Sequence, residues 1–153
     1  RSVFAGGSNS PYGGTTTWKN IIEYVTIAST GNATDFGDLT VDRYVSNNGV
    51  ISSSTKGIFA GGNAPNFIRS VDYVTIATTG NATNFGDLSQ DFAQGAGCSS
   101  LTRGLLAGGM WGVNYENIIE YITIASGGTS TDFGDLVAVM YNLAGCSNCF
   151  GGL

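Results

Sequence analysis

Three observations predict an all-β fold of three four-stranded antiparallel repeats, each about 48 residues long. The first is self-similarity. Phe-Ala-Gly-Gly at 4–7 returns at 59–62, and as Leu-Ala-Gly-Gly at 106–109. Ile-Glu-Tyr-Val-Thr-Ile at 22–27 returns as Val-Asp-Tyr-Val-Thr-Ile at 71–76 and Ile-Glu-Tyr-Ile-Thr-Ile at 119–124. Phe-Gly-Asp-Leu stands at 36–39, 85–88 and 133–136. Tyr24 and Tyr73 are 49 residues apart, Tyr73 and Tyr121 are 48 apart, and a period near 50 marks a repeat architecture. The second observation is that the repeated runs are rich in Ile, Val, Tyr and Thr, which suit a pleated surface. The third is that no stretch joins helical periodicity to helix caps.

Each repeat divides in the same order. Gly57-Ile58-Phe59-Ala60 is an apolar strand closed by Gly61-Gly62, where glycine permits positive φ or close backbone approach. The next strand spans 20–28, with counterparts at 69–77 and 117–125. Its apolar residues fall on both faces, Ile22 and Tyr24 on one and Ile21, Val25 and Ile27 on the other. That pattern predicts a sheet covered on both sides. Gly31-Asn32, Gly80-Asn81 and Gly127-Gly128 then mark turns. A third strand centres on Phe36, Phe85 and Phe133. A weaker one spans 49–53 and 96–100, with a last copy at 144–148, and turns back through Lys56-Gly57 or Arg103-Gly104. The chain reads as a single repeat domain over 1–153, with repeats at 1–48, 49–95 and 96–143 and a closing strand at 144–153.

This pattern of a weak strand, a Lys/Arg-Gly turn, an apolar strand ending in Gly-Gly, a Tyr and a later aromatic resembles the kelch repeat. That family folds as a β-propeller with one four-stranded blade per repeat. The glycine pairs Gly6-Gly7, Gly61-Gly62 and Gly108-Gly109 match its signature, and Tyr24, Tyr73 and Tyr121 match its tyrosine. Phe36, Phe85 and Phe133 stand where the family usually has Trp. Arg43 matches an Arg before the next blade, with Asp91 and Met140 in that region of the later copies, a departure. Val-Thr-Ile after each Tyr departs from the usual Tyr-Asp. The wording Tyr-Val-Thr-Ile-Ala…Asn-Ala-Thr-Asp-Phe-Gly-Asp-Leu is also similar to repeats in structural and fibre proteins of marine cyanobacterial viruses.

The resemblance raises a closure problem, because propellers close with about 4–8 blades and three fall short. Arg1 aligns with Lys56 and Arg103, so the first repeat lacks its opening strand, while 144–148 is surplus. The C-terminal strand is therefore expected to complete a first blade, in cis or in a neighbouring subunit. Two chains joined this way would give six blades, and a homo-oligomer is the expectation. A fragment of a longer propeller and a three-sheet prism remain alternatives.

Composition narrows function. Only 11% of the 153 residues are charged, 24 are Gly, and 42% hydrophobic content argues against disorder. The net charge is −5, and the basic residues Arg1, Lys19, Arg43, Lys56, Arg69 and Arg103 are scattered, so no nucleic acid partner is expected. No run of about 18 apolar residues predicts membrane insertion. The chain begins at Arg1 without a visible signal peptide, and reads as processed or cut from something longer. The low-charge surface reads as extracellular or virion-like. With no histidine, Ser-His-Asp and Cys-His catalysis and imidazole metal sites are excluded. Cys98, Cys146 and Cys149 are too few for a structural zinc site. No cofactor is implied.

Candidate binding residues lie after each double glycine, where length varies most: 17 residues from Gly7 to Tyr24, 11 from Gly62 to Tyr73, and 12 from Gly109 to Tyr121. In propellers this loop projects at the rim, and loops vary without disturbing the scaffold. Tyr12, Asn63, Trp111 and Asn114 are the residues expected to meet a glycan or protein, the aromatics as exposed stacking surfaces. Trp18, Phe67 and Tyr115 recur six residues before the repeated Tyr and read as packing. The Asp35/Asp38 and Asp132/Asp135 pairs, Asn84/Asp87 in the middle copy, read as turn ligands rather than a calcium or glycosidase site. Asn32-Ala-Thr and Asn81-Ala-Thr fit the glycosylation sequon, but their turns already account for Asn. Cys146-Ser-Asn-Cys149 lacks a thioredoxin-like context, and Cys98 aligns with Cys146 as a small inner-strand residue. These residues favour a non-enzymatic structural or recognition module, virion-associated or a surface adhesin, bound to itself and to host-surface glycan or other virion proteins. The alternatives are a carboxylate-only carbohydrate hydrolase and a pure assembly subunit.

Overall fold

The computed structural model describes residues 1–9, 17–45 and 49–148, and among them every regular element is a strand. The first repeat carries β1 (Ser2–Ala5), β2 (Ser8–Asn9), β3 (Thr17–Trp18), β4 (Ile21–Val25) and β5 (Thr34–Asp38). The second carries β6 (Val50–Ser52), β7 (Lys56–Ala60), β8 (Ser70–Thr75), β9 (Thr83–Asp87) and, in its exit segment, β10 (Phe92–Ala93). The third carries β11 (Ala96–Ser99), β12 (Arg103–Ala107), β13 (Met110–Trp111), β14 (Asn114–Tyr115), β15 (Ile118–Thr123) and β16 (Thr131–Asp135).

The second and third repeats each form a four-stranded antiparallel sheet, in the orders β6-β7-β8-β9 and β11-β12-β15-β16. The first repeat forms the three-stranded sheet β1-β4-β5, with no opening strand on β1 among the described residues, in keeping with the alignment of Arg1 with Lys56. Residues 144–148 are not the strand expected of them. In the complete repeats the opening strand pairs with the double-glycine strand that follows it, β6 on β7 and β11 on β12. No such strand follows 144–148 among the described residues. The Ser147 hydroxyl ties the segment to β11: Ser147 Oγ accepts from Ser99 N at 3.2 Å and donates to Ser99 O at 2.5 Å. Ser99 Oγ donates to Ser52 O in the same way at 2.6 Å, so the segment lies beside β11 as β11 lies beside β6. The rest of the proposed closing strand, 149–153, lies outside the described residues.

The middle sheet is apolar on both faces, as the sequence predicts. Phe59 and Val74 pack with Ile22, Phe36 and Leu39 of the first repeat. Ile58, Ala60 and Val71 pack with Leu106, Ile122 and Ile124 of the third. Alternation along a strand sends successive side chains into two separate cores, so one sheet joins three layers.

The Phe-Gly-Asp repeat is a bulge. Ile22 lies opposite Gly37 while Glu23 lies opposite Asp35, which leaves Phe36 unopposed; Phe85 and Phe133 are skipped in the same way. The bulge turns a carbonyl out of its own sheet. Phe36 O accepts from Gly80 N at 2.7 Å, and Phe85 O accepts from Gly128 N at 2.8 Å. A side chain at this point would block the approach. A Cβ on Gly37 would sit 2.5 Å from the Gly80 carbonyl, and one on Gly86 would run into the Gly128 carbonyl. Gly134 has the same backbone, φ +137° against +139° for Gly86, but nothing within 4 Å of such a Cβ.

Polar contacts repeat with the sheets. Arg1 Nη1 donates to Ile76 O and Ala77 O at 3.2 and 2.9 Å, and Lys56 Nζ donates to Ile124 O and Ala125 O at 3.0 and 3.4 Å. Each cation also lies over its own repeat's tyrosine, Arg1 at 4.5 Å from the Tyr24 ring and Lys56 at 5.0 Å from Tyr73. Deeper in the first junction, Arg43 reaches Asp72 at 3.1 Å, both side chains fully buried, and donates to Phe59 O at 3.1 Å. Thr40 Oγ1 donates to the same carboxylate. Burial draws the Arg43 pKa down and Asp72 pushes it back up, and guanidinium stays protonated at neutral pH. At the second junction Phe92 takes the place of Arg43, and Glu120 accepts from the hydroxyls of Ser89 and Ser130 instead.

Two outcomes follow. Gly86→Ala lowers stability by about 1–3 kcal/mol more than Gly134→Ala in urea unfolding, because the two share backbone strain and differ in the space beyond. Asp72→Asn or Arg43→Met alone costs about 3–5 kcal/mol, whereas Arg43→Met with Asp72→Leu recovers most of it, since a lone buried charge is worse than none.

Candidate functional site

The hairpins beyond the double-glycine strands are set up by the glycine pairs. Gly6, Gly7, Gly61, Gly62, Gly108 and Gly109 all have positive φ, between 59° and 118°, which side chains resist. They turn the chain out of the inner sheet into a short hairpin, β2-β3 in the first repeat and β13-β14 in the third. The second glycine of each pair is tied to its repeat's exit segment. Gly7 N donates to Arg43 O at 2.9 Å, Gly62 N to Phe92 O at 2.9 Å and Gly109 N to Met140 O at 2.6 Å. Arg43, Phe92 and Met140 are thus the structural counterparts. Asp91, in that region of the second copy, stands directly before Phe92.

The exit segment then crosses to the next repeat's hairpin and adds a strand to it. Tyr44 and Asn63 exchange backbone bonds at 2.9 and 3.1 Å. One repeat later β10 pairs with β13, giving the small sheet β10-β13-β14. The first repeat's hairpin β2-β3 has two strands, with no preceding exit segment among the described residues.

The proposed contact residues separate on this frame. Tyr12 lies outside the described residues. Asn63 is half-buried at the Tyr44 bridge, and its Oδ1 is buried with no partner among the described residues. Trp111 corrects the expectation of an exposed stacking surface, being 1% exposed. Its ring lies 4.6 Å from that of Phe92 and its Nε1 donates to Gly108 O at 2.8 Å, so its polar edge is satisfied inside. Asn114 is exposed on β14, beyond a turn in which Gly112 takes φ +62° and Val113 is exposed. Beside it Tyr115, read from sequence as packing, is 43% exposed. Its ring lies 4.6 Å from that of Tyr141 and its hydroxyl is 3.2 Å from Gln94 Oε1. Tyr141 was missed, although Tyr44 occupies the same place in the first exit segment and the recurrence was available.

Tyr24, Tyr73 and Tyr121 each face their repeat's phenylalanine, Phe36, Phe85 and Phe133, with ring centres 5.9, 5.0 and 6.3 Å apart. Cover differs: Phe36 is 2% exposed between two sheets and Phe133 is 51% exposed on the last. Cavities open on both end faces. One of about 300 Å³ is lined by Phe4, Lys19, Ile21 and Glu23 of the first repeat, and one of about 340 Å³ by Cys98, Arg103, Phe133 and Cys146 of the third. Neither is lined by two carboxylates, the arrangement glycoside hydrolysis uses. Asp132 Oδ1 accepts from Gly134 N at 3.1 Å, a turn contact. Cys98 is half-buried and Cys146 exposed, and burial together with the neighbouring Cys146 pushes the Cys98 pKa up. Cys149 lies outside the described residues. No protein-family model matches the chain, and no curated protein matches it.

Truncating the two rim residues gives opposite results in thermal unfolding. Trp111→Ala costs about 3–5 kcal/mol, the range for a buried aromatic, and Asn114→Ala stays within about 0.5 kcal/mol.

Proposed function

We propose that this chain is a non-catalytic kelch-like β-propeller module whose blades are the three repeat sheets and whose rim hairpins recognise a glycan or protein. The observation that carries this reading is the contrast between junctions and rim. The sheet junctions repeat their bulge-to-turn bonds and their cation-to-carbonyl contacts, while the hairpins differ in length, composition and exposure. A rigid repeated frame with variable projections suits recognition, because contacts can change without loss of the fold. The resemblance of the repeats to viral fibre segments supports a virion or extracellular setting, with the ring completed by oligomerisation. Asn114, Val113 and Tyr115 form the exposed surface best suited to contact, since a tyrosine pair beside an amide offers stacking area and hydrogen bonds to a sugar. The burial of Trp111 and the Tyr44–Asn63 bridge favour a second reading, in which the rim contacts serve assembly.

The reading is tested on an array of purified bacterial surface polysaccharides and on intact cells, comparing the chain with Asn114→Ala and Tyr115→Ala. The expected outcome is binding that both variants weaken at least about tenfold with an unchanged unfolding midpoint. Binding indifferent to both variants, or no binding to any surface, favours the assembly reading.

A further inference from the structure

The two end faces of the chain are the two halves of a junction it already makes twice. Position by position, the first repeat's outer face carries what the inner junctions cover. Phe4 is 56% exposed where Phe59 is 3% exposed and Leu106 is buried. Ile27 is exposed where Ile124 is buried, and Glu23 is exposed where Asp72 and Glu120 are buried. The third repeat's outer face mirrors this, with Phe133 exposed, Gly134 open, and Met140 and Tyr141 exposed. Arg103 lies 4.6 Å from the Tyr121 ring, as Arg1 and Lys56 lie over their tyrosines, but no following turn stands beyond it among the described residues. Residues 144–148 are already parked beside β11 in the place of a next opening strand, and among the described residues no strand pairs with the free edge of β1.

We propose that a second copy of this chain docks head to tail here, its first repeat on the third repeat of its neighbour, in the register of the internal junctions. This rests on the oligomeric reading above and specifies its contacts. Arg103 donates to the Ile27 and Ala28 carbonyls, as Lys56 does to Ile124 and Ala125. The Phe133 carbonyl accepts from Gly31 N, as Phe85 does from Gly128. Residues 144–148 pair with β1 so that Cys146 faces Val3, as Ile51 faces Ile58 and Cys98 faces Leu105. Tyr141 reaches the β2-β3 hairpin, as Tyr44 reaches Asn63. A second copy fits because the groups on one face, Glu23 excepted, have counterparts that meet the other face inside the same chain.

One contact does not carry over. Glu23 meets Val137 and Met140, where Asp72 meets Thr40 and Arg43 and Glu120 meets Ser89. Its other neighbours are Phe4, Asp35 opposite on β5 and Lys19 in the same cavity, with Asp135 on the incoming face. A carboxylate enclosed with so few donors opposes docking, so removing its charge strengthens association.

The test is sedimentation of the full chain over a wide concentration range, joined to cross-linking. Wild type associates, Arg103→Ala and Phe133→Asp weaken association by about tenfold or more, and Glu23→Gln strengthens it. The three substituted side chains touch solvent in the single chain, so folding is retained. A short bis-maleimide links Val3→Cys to Cys146 between copies, since cross-strand neighbours lie about 5 Å apart. A chain monomeric at every concentration overturns both this inference and the oligomeric reading. Association without the Val3→Cys cross-link, or indifferent to Arg103→Ala and Phe133→Asp, overturns the inference and leaves the oligomeric reading standing.

Discussion

Two backbones can touch across this fold because the residue after each bulge phenylalanine is glycine. At Gly37 and Gly86 the turn of the following repeat comes against the bulge itself, carbonyl to amide, with no side chain between. The constraint reaches outward from there. The bulge must recur at one height in every sheet, so the Phe-Gly-Asp sequence is invariant while its surroundings vary. The turn opposite must present an amide, so it carries glycine and small residues. The contact also has a direction. One side supplies a carbonyl and the other an N–H, so successive sheets stack in one sense only, and the cations at 1 and 56 reach the same way.

Within each junction an acid is buried at the same position, and the chain satisfies it by two chemistries. Each accepts from a backbone amide, Thr40 N for Asp72 and Ser89 N for Glu120; beyond that Asp72 has a guanidinium and a hydroxyl and Glu120 has two hydroxyls, with Phe92 filling the space the arginine side chain takes in the other junction. Exchange of a buried ion pair for hydroxyls and an aromatic ring is close to neutral in stability, because desolvation offsets most of the attraction of the pair. The fold therefore requires that the acid be answered, and leaves open what answers it.

Much of this was legible in the sequence, for local reasons. Strand positions and the double-glycine turns followed from apolar runs and glycine pairs, features that act over a few residues. That the first repeat's sheet has three strands among the described residues followed from alignment of the copies. Trp111 was misjudged because its exposure depends on Phe92, brought to it by an exit segment from the preceding repeat, and pairing between distant segments leaves no mark in either one. Residues 144–148 have the composition of an opening strand, but no double-glycine strand follows them among the described residues, and a strand exists only with its neighbour. Tyr115 shares its periodic place with Trp18 and Phe67, and what differs is whether something lies above it.

Repeats this alike carry a hazard of mistaken identity, since any one of them has the backbone to dock beside any other. The residue after each exit loop differs: arginine at 43, phenylalanine at 92, methionine at 140. The first repeat's exit segment brought against Glu120 would present Arg43 and Thr40 in place of Phe92 and Ser89, and Phe92 brought against Asp72 would leave that acid without its cation. The repeats are thus not interchangeable parts. A single side chain in each exit segment works as an address label, so that the order of the sheets in space follows their order along the chain.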